Sequence, residues 1–245
     1  MKKNKLNIAI IGFGRFGALL AEIMSPLGNV FIISSREINN KKFKQIGYED
    51  LGIIDIVIPA VPISAVENML KKINPFLKKG SLVMDVSSVK VWPCRYLKKE
   101  IRKDVEIIGT HPMFGPDSAK NGLKDLQMVI CPLRQSKKTL DFVKNVFRKM
   151  GLKIIVTTPE DHDRQAAMNL ALVHFIGRGL GKMGVKKQEI MTKGFERLLT
   201  VNETVNNDTW QLYLDMNKFN PYSRSIRASF IKELIKLENM IKKEK

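Results

Sequence analysis

Apolar residues in the first 157 positions fall into short runs rich in Ile and Val, at 6–11, 30–33, 55–58, 82–85, 105–108, 127–131 and 153–156. Each run is too short for a helix and mostly apolar without alternation, the pattern of a strand covered on both faces. Between the runs the spacing becomes helical: Phe16, Leu19, Leu20 and Ile23 share one stripe, and 136–150 carries another. Ser64 is placed to cap the helix after the third run. Alternation of this kind predicts an α/β fold, a doubly wound and mostly parallel sheet with helices on both faces. The pattern changes after Val156. Thr157-Thr158-Pro159-Glu160-Asp161 supplies a threonine cap, a proline for the first helical position and acids for the first turn. A long helix is expected to about Lys182, and the remainder is helical in period, with turns near Gly184, Asn206-Asn207 and Asn220-Pro221. The expected organisation is a sheet domain over 1–157 and a smaller all-helical domain over 158–245. So few helices leave apolar faces to cover, so packing against the first domain and against a second subunit, a homodimer through the helical domain, is expected.

Composition narrows the setting. No apolar stretch reaches the roughly 20 residues that cross a bilayer, so no membrane partner is expected. The basic start Met1-Lys2-Lys3-Asn4-Lys5 leads into an apolar run broken by Gly12 and Arg15, which is not the pattern of a signal peptide. Two cysteines, Cys94 and Cys131, make neither a disulfide framework nor a metal site, and a reducing, cytoplasmic setting is the simple expectation. The net charge is +18, and 27 of the 42 basic residues lie in 1–157. No nucleic-acid motif accompanies them, and many are lysine pairs on expected helix surfaces and turns, such as Lys71-Lys72 and Lys98-Lys99. No nucleic-acid partner is expected; the positive field would instead gather anionic small molecules.

The first strand ends in Gly12-Phe13-Gly14-Arg15-Phe16-Gly17, a G-x-G-x-x-G run between a strand and a helix. That context makes it a dinucleotide fingerprint. Gly12 serves the tight turn, Gly14 the approach of pyrophosphate to backbone, and Gly17 the close helix–strand packing of a Rossmann-type sheet. The helix start adds N–H groups and a positive dipole end. After the second strand, about 20 residues beyond the loop, an acid usually selects NAD and an arginine accommodates the 2′-phosphate of NADP. Here Ser34-Ser35-Arg36 precede Glu37, which favours NADP, with NAD possible. Val61-Pro62, after the third run, belong to the same expected cofactor edge.

His111 follows the fifth run, in Gly109-Thr110-His111-Pro112-Met113-Phe114-Gly115-Pro116-Asp117. An imidazole with a pKa near 6.5 suits the acceptance of a proton from a substrate hydroxyl at neutral pH. Asp85-Val86-Ser87-Ser88-Val89-Lys90 forms a polar turn at the end of the fourth run, where a serine can orient the imidazole or bond substrate. His162 sits among acids at the start of the long helix, where helix-end electrostatics and a functional role are equally open. His174 lies further along that helix in Leu172-Val173-His174-Phe175-Ile176-Gly177-Arg178. No histidine–carboxylate spacing suggests a metal. The glycine loop, Val61-Pro62, Ser87-Ser88 and His111 all follow strands, so they should converge on one crevice.

The combination resembles the prephenate/arogenate dehydrogenase family over nearly the whole chain. The specific part is Ser88-Val89-Lys90 together with His111-Pro112-Met113-Phe114-Gly115-Pro116, supported by His162-Asp163-Arg164 and His174-Phe175-Ile176-Gly177-Arg178. The Met-Phe-Gly-Pro form and Thr192-Lys193-Gly194-Phe195-Glu196-Arg197-Leu198-Leu199 are closer to plant-type arogenate enzymes. The resemblance implies oxidative decarboxylation of prephenate or arogenate in tyrosine biosynthesis. It implies His111 as catalytic base, Ser88 as the serine that positions it and the substrate, and Ser87, Lys90, His174 and Arg178 on the substrate side. One departure stands out: an arginine that holds a substrate carboxylate in bacterial prephenate enzymes aligns with Thr200, leaving Arg178, Lys193 and Arg197 as replacements. No fused mutase or regulatory domain is expected in this length. Another NADP-linked reductase of the same plan, of β-hydroxyacid or imine reductase type, would lack the His111 run. A non-catalytic NADP-binding regulator would tolerate its loss.

Overall fold

The computed structural model describes residues 5–244, so the reading of the basic N-terminal run falls, apart from Lys5, outside the described residues. The chain divides into two compact units, Met1–Pro159 and Glu160–Lys245.

The first unit carries an eight-stranded sheet. In chain order its elements are β1 (Leu6–Ile11), α1 (Arg15–Met24), β2 (Gly28–Ile33), β3 (Lys44–Gln45), β4 (Ile56–Pro59), α2 (Val66–Ile73), β5 (Leu82–Asp85), α3 (Val91–Glu100), β6 (Glu106–Pro112), α4 (Pro116–Ala119), β7 (Gln127–Arg134), α5 (Lys137–Lys149) and β8 (Lys153–Val156). The order across the sheet is β3-β2-β1-β4-β5-β6-β7-β8. Every pairing is parallel except β6 with β7. From β1 the chain steps outward to β2 and β3, then returns to the other side of β1 for β4, which makes the β1/β4 boundary the switch point where such sheets bind ligands.

The continuous apolar runs are explained by two-sided burial. Ile8, Ile10, Ile32, Ile58, Met84 and Ile108 pack with Leu20, Met24, Val143 and Phe147 of α1 and α5. Their alternates Ala9, Ile11, Ile33, Val57, Val83 and Ile107 pack with Leu70 and Leu97 of α2 and α3. With both faces covered, period 2 vanishes from the sequence.

Three local expectations change. Ser64 falls in a 3-10 turn at Ile63–Ala65, and α2 starts at Val66 without a side-chain cap. β3 has two residues, too few to show a period in the sequence. The fifth run extends well past Ile108: β7 returns antiparallel and pairs with β6 as far as Pro112 opposite Met128. His111 is therefore a strand residue opposite Val129 rather than a loop residue.

The second unit is helical: α6 (Pro159–Ala166), a π-helical stretch at Ala167–Ala171, α7 (Leu172–Lys182), α8 (Lys193–Asn207), α9 (Trp210–Phe219) and α10 (Ser223–Lys243). Pro159 opens α6 with Glu160 and Asp161 in its first turn. The expected long helix runs through to Lys182, with a π-helical stretch inside it. Gly184 turns the chain with φ +72°, and a non-helical segment then reaches Thr192, whose hydroxyl caps α8 by accepting from Phe195 N.

Candidate active site

The glycine loop is built by steric necessity. Gly12 adopts φ +99°, and a Cβ there would lie 2.4 Å from the Ala60 carbonyl oxygen, across the switch point. A Cβ on Gly17 would lie 2.2 Å from the Gly12 oxygen. Gly14 is different: nothing lies within 4 Å of its would-be Cβ, and as the N-cap of α1 it brings no capping side chain. A bare backbone at an open helix start is the donor set that a pyrophosphate requires. Phe13 packs edge-on against Phe43, 6.3 Å between centroids, while Phe16 and Val61 lie half-buried against the two core layers. Pro62 is exposed beside them. Arg15 Nη2 donates to both Asp117 oxygens at 3.0 Å, tying the glycine loop to the start of α4.

After β2, the Ser34 hydroxyl accepts from Arg36 N at 3.2 Å, and Ser35 and Arg36 are exposed. The Arg36 guanidinium has no partner among the described residues. Glu37 does not pair with it.

The ends of β5 and β6 hold a buried ion pair. Lys90 is completely buried, with 0% of its surface exposed, and is ion-paired with Asp85, itself 2% exposed. The same ammonium donates to the Thr110 carbonyl at 2.5 Å. Asp85 also accepts from Ser87 N at 3.1 Å and Ser87 Oγ at 2.6 Å, and Thr110 Oγ1 donates to the Asp85 carbonyl at 2.5 Å. Two strands are thus joined by a closed polar network directly before His111, which is buried at 6% exposure. Ser88 is the exception: its Oγ is buried without a hydrogen-bond partner. A buried hydroxyl without a partner costs free energy unless a ligand satisfies it.

In the second unit, His174 Nδ1 is buried and unpartnered, and its Nε2 lies 3.8 Å from Asp208, beyond hydrogen-bond length. Burial, reinforced by the Arg178 charge, lowers its pKa to about 4, so His174 is neutral at pH 7. The nearby carboxylate is too distant to offset this. Arg178 donates to Asn206 Oδ1 at 3.1 Å and to the Asp208 carbonyl at 2.5 Å, and lies over the rings of Trp210 and Tyr213 at 5.4 and 5.9 Å. His162 Nδ1 meets Asp163 at 2.8 Å, both groups buried, and Asn220 donates to the Asp163 carbonyl. On α8, Thr200 bonds back to Glu196 O, Lys193 pairs with Glu196, and Arg197 is exposed without a partner among the described residues. No cluster of three or more potential metal ligands occurs among the described residues, and no helix there is long and apolar enough to cross a membrane.

The glycine loop, Ser34–Arg36, Val61-Pro62, Ser87-Ser88 and His111 therefore occupy the carboxyl edge of five adjacent strands, β2-β1-β4-β5-β6. Sequence reasoning did not single out Asp85 or Thr110. An acid closing an apolar strand with a lysine five residues on was the available sign for Asp85. Nothing in the sequence marked Thr110, or the Asp208, Trp210 and Tyr213 groups around Arg178.

Residues 36–156 match the family model for the nucleotide-binding domain of prephenate dehydrogenase, and residues 179–245 match that for the C-terminal domain of TYRAAT1-like proteins. Arogenate dehydrogenase 1, chloroplastic, of Arabidopsis thaliana is 31% identical over 89% of this chain and 36% of its own length. A probable arogenate/prephenate dehydrogenase of Methanocaldococcus jannaschii is 30% identical over 99% of this chain and 58% of its own. The chain thus spans well under two thirds of these curated relatives. Among solved structures, prephenate dehydrogenase from A. aeolicus, in complex with hydroxyphenyl propionate and NAD+, superposes with a TM-score of 0.77 at 20% identity, covering 100% of this chain and 93% of that one. Synechocystis arogenate dehydrogenase gives 0.68 at 20% identity, covering 97% and 93%. These structures agree on the fold, and the sequence relatives, carried across nearly all of both units, place the chain in the prephenate/arogenate dehydrogenase family.

Proposed function

We propose that this chain oxidatively decarboxylates prephenate or arogenate, passing hydride to a nicotinamide dinucleotide, with NADP preferred. The observation that carries the reading is the placement of His111 and an unpartnered buried Ser88 hydroxyl on the carboxyl edge shared with the glycine loop. Gly12, Gly14 and Gly17 would hold the pyrophosphate end, and Ser35 and Arg36 the 2′-phosphate. When bound, the dinucleotide supplies a hydride acceptor. His111 accepts the proton of the ring hydroxyl as the carbon beneath it loses hydride, and Ser88 donates to or orients that same oxygen. The carboxylate on the ring leaves as carbon dioxide, its bonding electrons completing the aromatic ring. Aromatisation drives the step, so the protein's work is orientation and a placed base. Asp85, Ser87 and Lys90 hold the backbone beneath His111.

The A. aeolicus structure, solved with hydroxyphenyl propionate and NAD+, supports a phenolic acid and a nicotinamide dinucleotide as the ligand pair. His174 and Arg178 are assigned to the substrate side: a neutral imidazole can bond a carboxylate or hydroxyl without adding charge, and Arg178 supplies the cation that Thr200 does not. Tyrosine biosynthesis is the pathway. Exposed apolar residues of α10, among them Ile231, Leu234, Ile235 and Leu237, support a homodimer through the helical unit. The two buried thiols, not joined in a disulfide, agree with a reducing, cytoplasmic setting. The alternative reductases are disfavoured by the His111 run.

The test is NADPH or NADH formation from prephenate and from arogenate, each with NADP+ and NAD+. Turnover with either substrate supports the reaction and settles the substrate. Absence of turnover with all four combinations, while a dinucleotide still binds, overturns it.

A further inference from the structure

The loop after β2 is held in shape by a side chain that plays no part in the reading so far. Gln45, on the two-residue strand β3, pairs in register with Ile32 of β2. Its amide spans the loop: Nε2 donates to the Ser34 carbonyl and to the Arg36 carbonyl, both at 3.1 Å, and Oε1 accepts from Ile38 N at 3.0 Å. One side chain thereby satisfies three backbone groups on a segment that has no regular structure of its own. Inside the clip, Arg36 N donates to the Ser34 hydroxyl, so Ser34 is committed to the turn. The Ser35 hydroxyl and the Arg36 guanidinium have no partners among the described residues, and both residues are exposed. Further along, Phe43 is buried against the Phe13 ring of the glycine loop, which anchors the far end of the same segment.

We infer that Gln45 is a positioning residue for cofactor selectivity: it fixes the backbone at 34–38 so that Ser35 and Arg36 are presented, already ordered, to the 2′-phosphate of NADP. This rests on the NADP reading above. A mobile arginine must give up its loop and side-chain freedom on binding, whereas one whose backbone is already clamped does not. NAD+ has no 2′-phosphate and gains nothing from that order. The clip therefore acts on one dinucleotide and not the other, chiefly through the charge of Arg36.

The experiment is isothermal titration of the full chain with NADP+ and with NAD+, for wild type, Gln45→Leu, Arg36→Ala and the double variant, with thermal melts in parallel. Leu fills the volume of the amide and removes all three hydrogen bonds. Gln45→Leu should weaken NADP+ binding roughly tenfold, leave NAD+ within about twofold, and leave the melting temperature within a few degrees. On the Arg36→Ala background it should have little further effect on NADP+, under about twofold, because the charged group it positions is gone. If wild type binds NAD+ as tightly as NADP+, the NADP reading falls and this inference with it. If wild type prefers NADP+ but Gln45→Leu keeps that preference, or weakens both dinucleotides equally, the NADP reading stands and the role of Gln45 is overturned.

Discussion

The buried pair beneath His111 gives the sharpest test of how the site is held. Lys90→Met keeps the length and apolar stem of the side chain and deletes only the ammonium. Asp85 would then be a carboxylate at 2% exposure, left with the Ser87 N–H and hydroxyl as its remaining donors in the network described. Removing one partner of a buried pair costs about 3–5 kcal/mol, because the other charge stays buried and uncompensated. The two surviving Ser87 bonds put the expected loss near the lower end, about 3 kcal/mol. Asp85→Asn with Lys90→Met removes both charges and should recover about 2 kcal/mol of that, the coupling expected of groups in direct contact. Urea unfolding in a Trp210→Phe background leaves Trp92, beside Lys90 on α3, as the single tryptophan and so reports on the first unit. Because the ammonium also bonds the Thr110 carbonyl, kcat should fall with the loss of order at His111 while KM changes little. A Lys90→Met protein within about 1 kcal/mol of wild type, with KM raised and kcat intact, would refute this reasoning and make Lys90 a direct substrate ligand instead.

Other consequences are open to simpler assays. The folded pKa of His174, about 4, lies below its unfolded value near 6.5, so between those values the unfolded chain binds more protons. Stability should fall as the pH is lowered through that window, by up to about 3 kcal/mol more in wild type than in His174→Gln; parallel pH profiles would show that the imidazole is not buried as described. Gly177→Ala, which on an exposed helix would stabilise, should instead cost roughly 1–3 kcal/mol, because its Cβ would lie 2.4 Å from Val205 Cγ2; Val205→Ala in the same chain should restore most of the loss in a thermal melt. Ile235→Glu should convert a homodimer to monomer by light scattering, and a wild type already monomeric would dismiss the α10 interface. His111→Ala should lower kcat by roughly two to four orders of magnitude without loss of dinucleotide binding.

Strand positions in the first unit were readable because parallel strands buried on both faces leave unmistakable Ile/Val runs, and the glycine loop was readable because its three positions have separate steric requirements. What escaped was set by contacts distant in sequence. β6 outruns its apolar core because β7, some twenty residues later, supplies the hydrogen bonds as far as Pro112. Gln45 escaped because a polar residue in a polar stretch has no period, and its meaning lies entirely in which carbonyls it reaches. Lys90 is a second case of meaning set by distant contacts. A lysine in a polar turn reads as solvated or ligand-facing, and only the fold shows an ammonium with no exposed surface, spent on Asp85 and Thr110.

Gly109 shows how such distant contacts set the height of His111, the proposed base. A Cβ at this position would lie 2.5 Å from Cys94 Sγ on α3 and 3.4 Å from Cys131 Cβ on β7. Its backbone φ is not in the left-handed region, so conformational freedom is not the reason for glycine here. The reason is space: α3 follows Lys90 by one residue, and it can lie close against β6 only if the strand has no side chain at that point. The tight approach of α3 keeps Lys90 within reach of the Thr110 carbonyl, one peptide from His111. A larger residue at 109 would push helix and strand apart and lengthen the hydrogen bond that fixes the imidazole's backbone. The Gly109-Thr110-His111 order is thus one device in three parts, a close approach, a clamp and the proposed base, and the first two have no chemistry of their own.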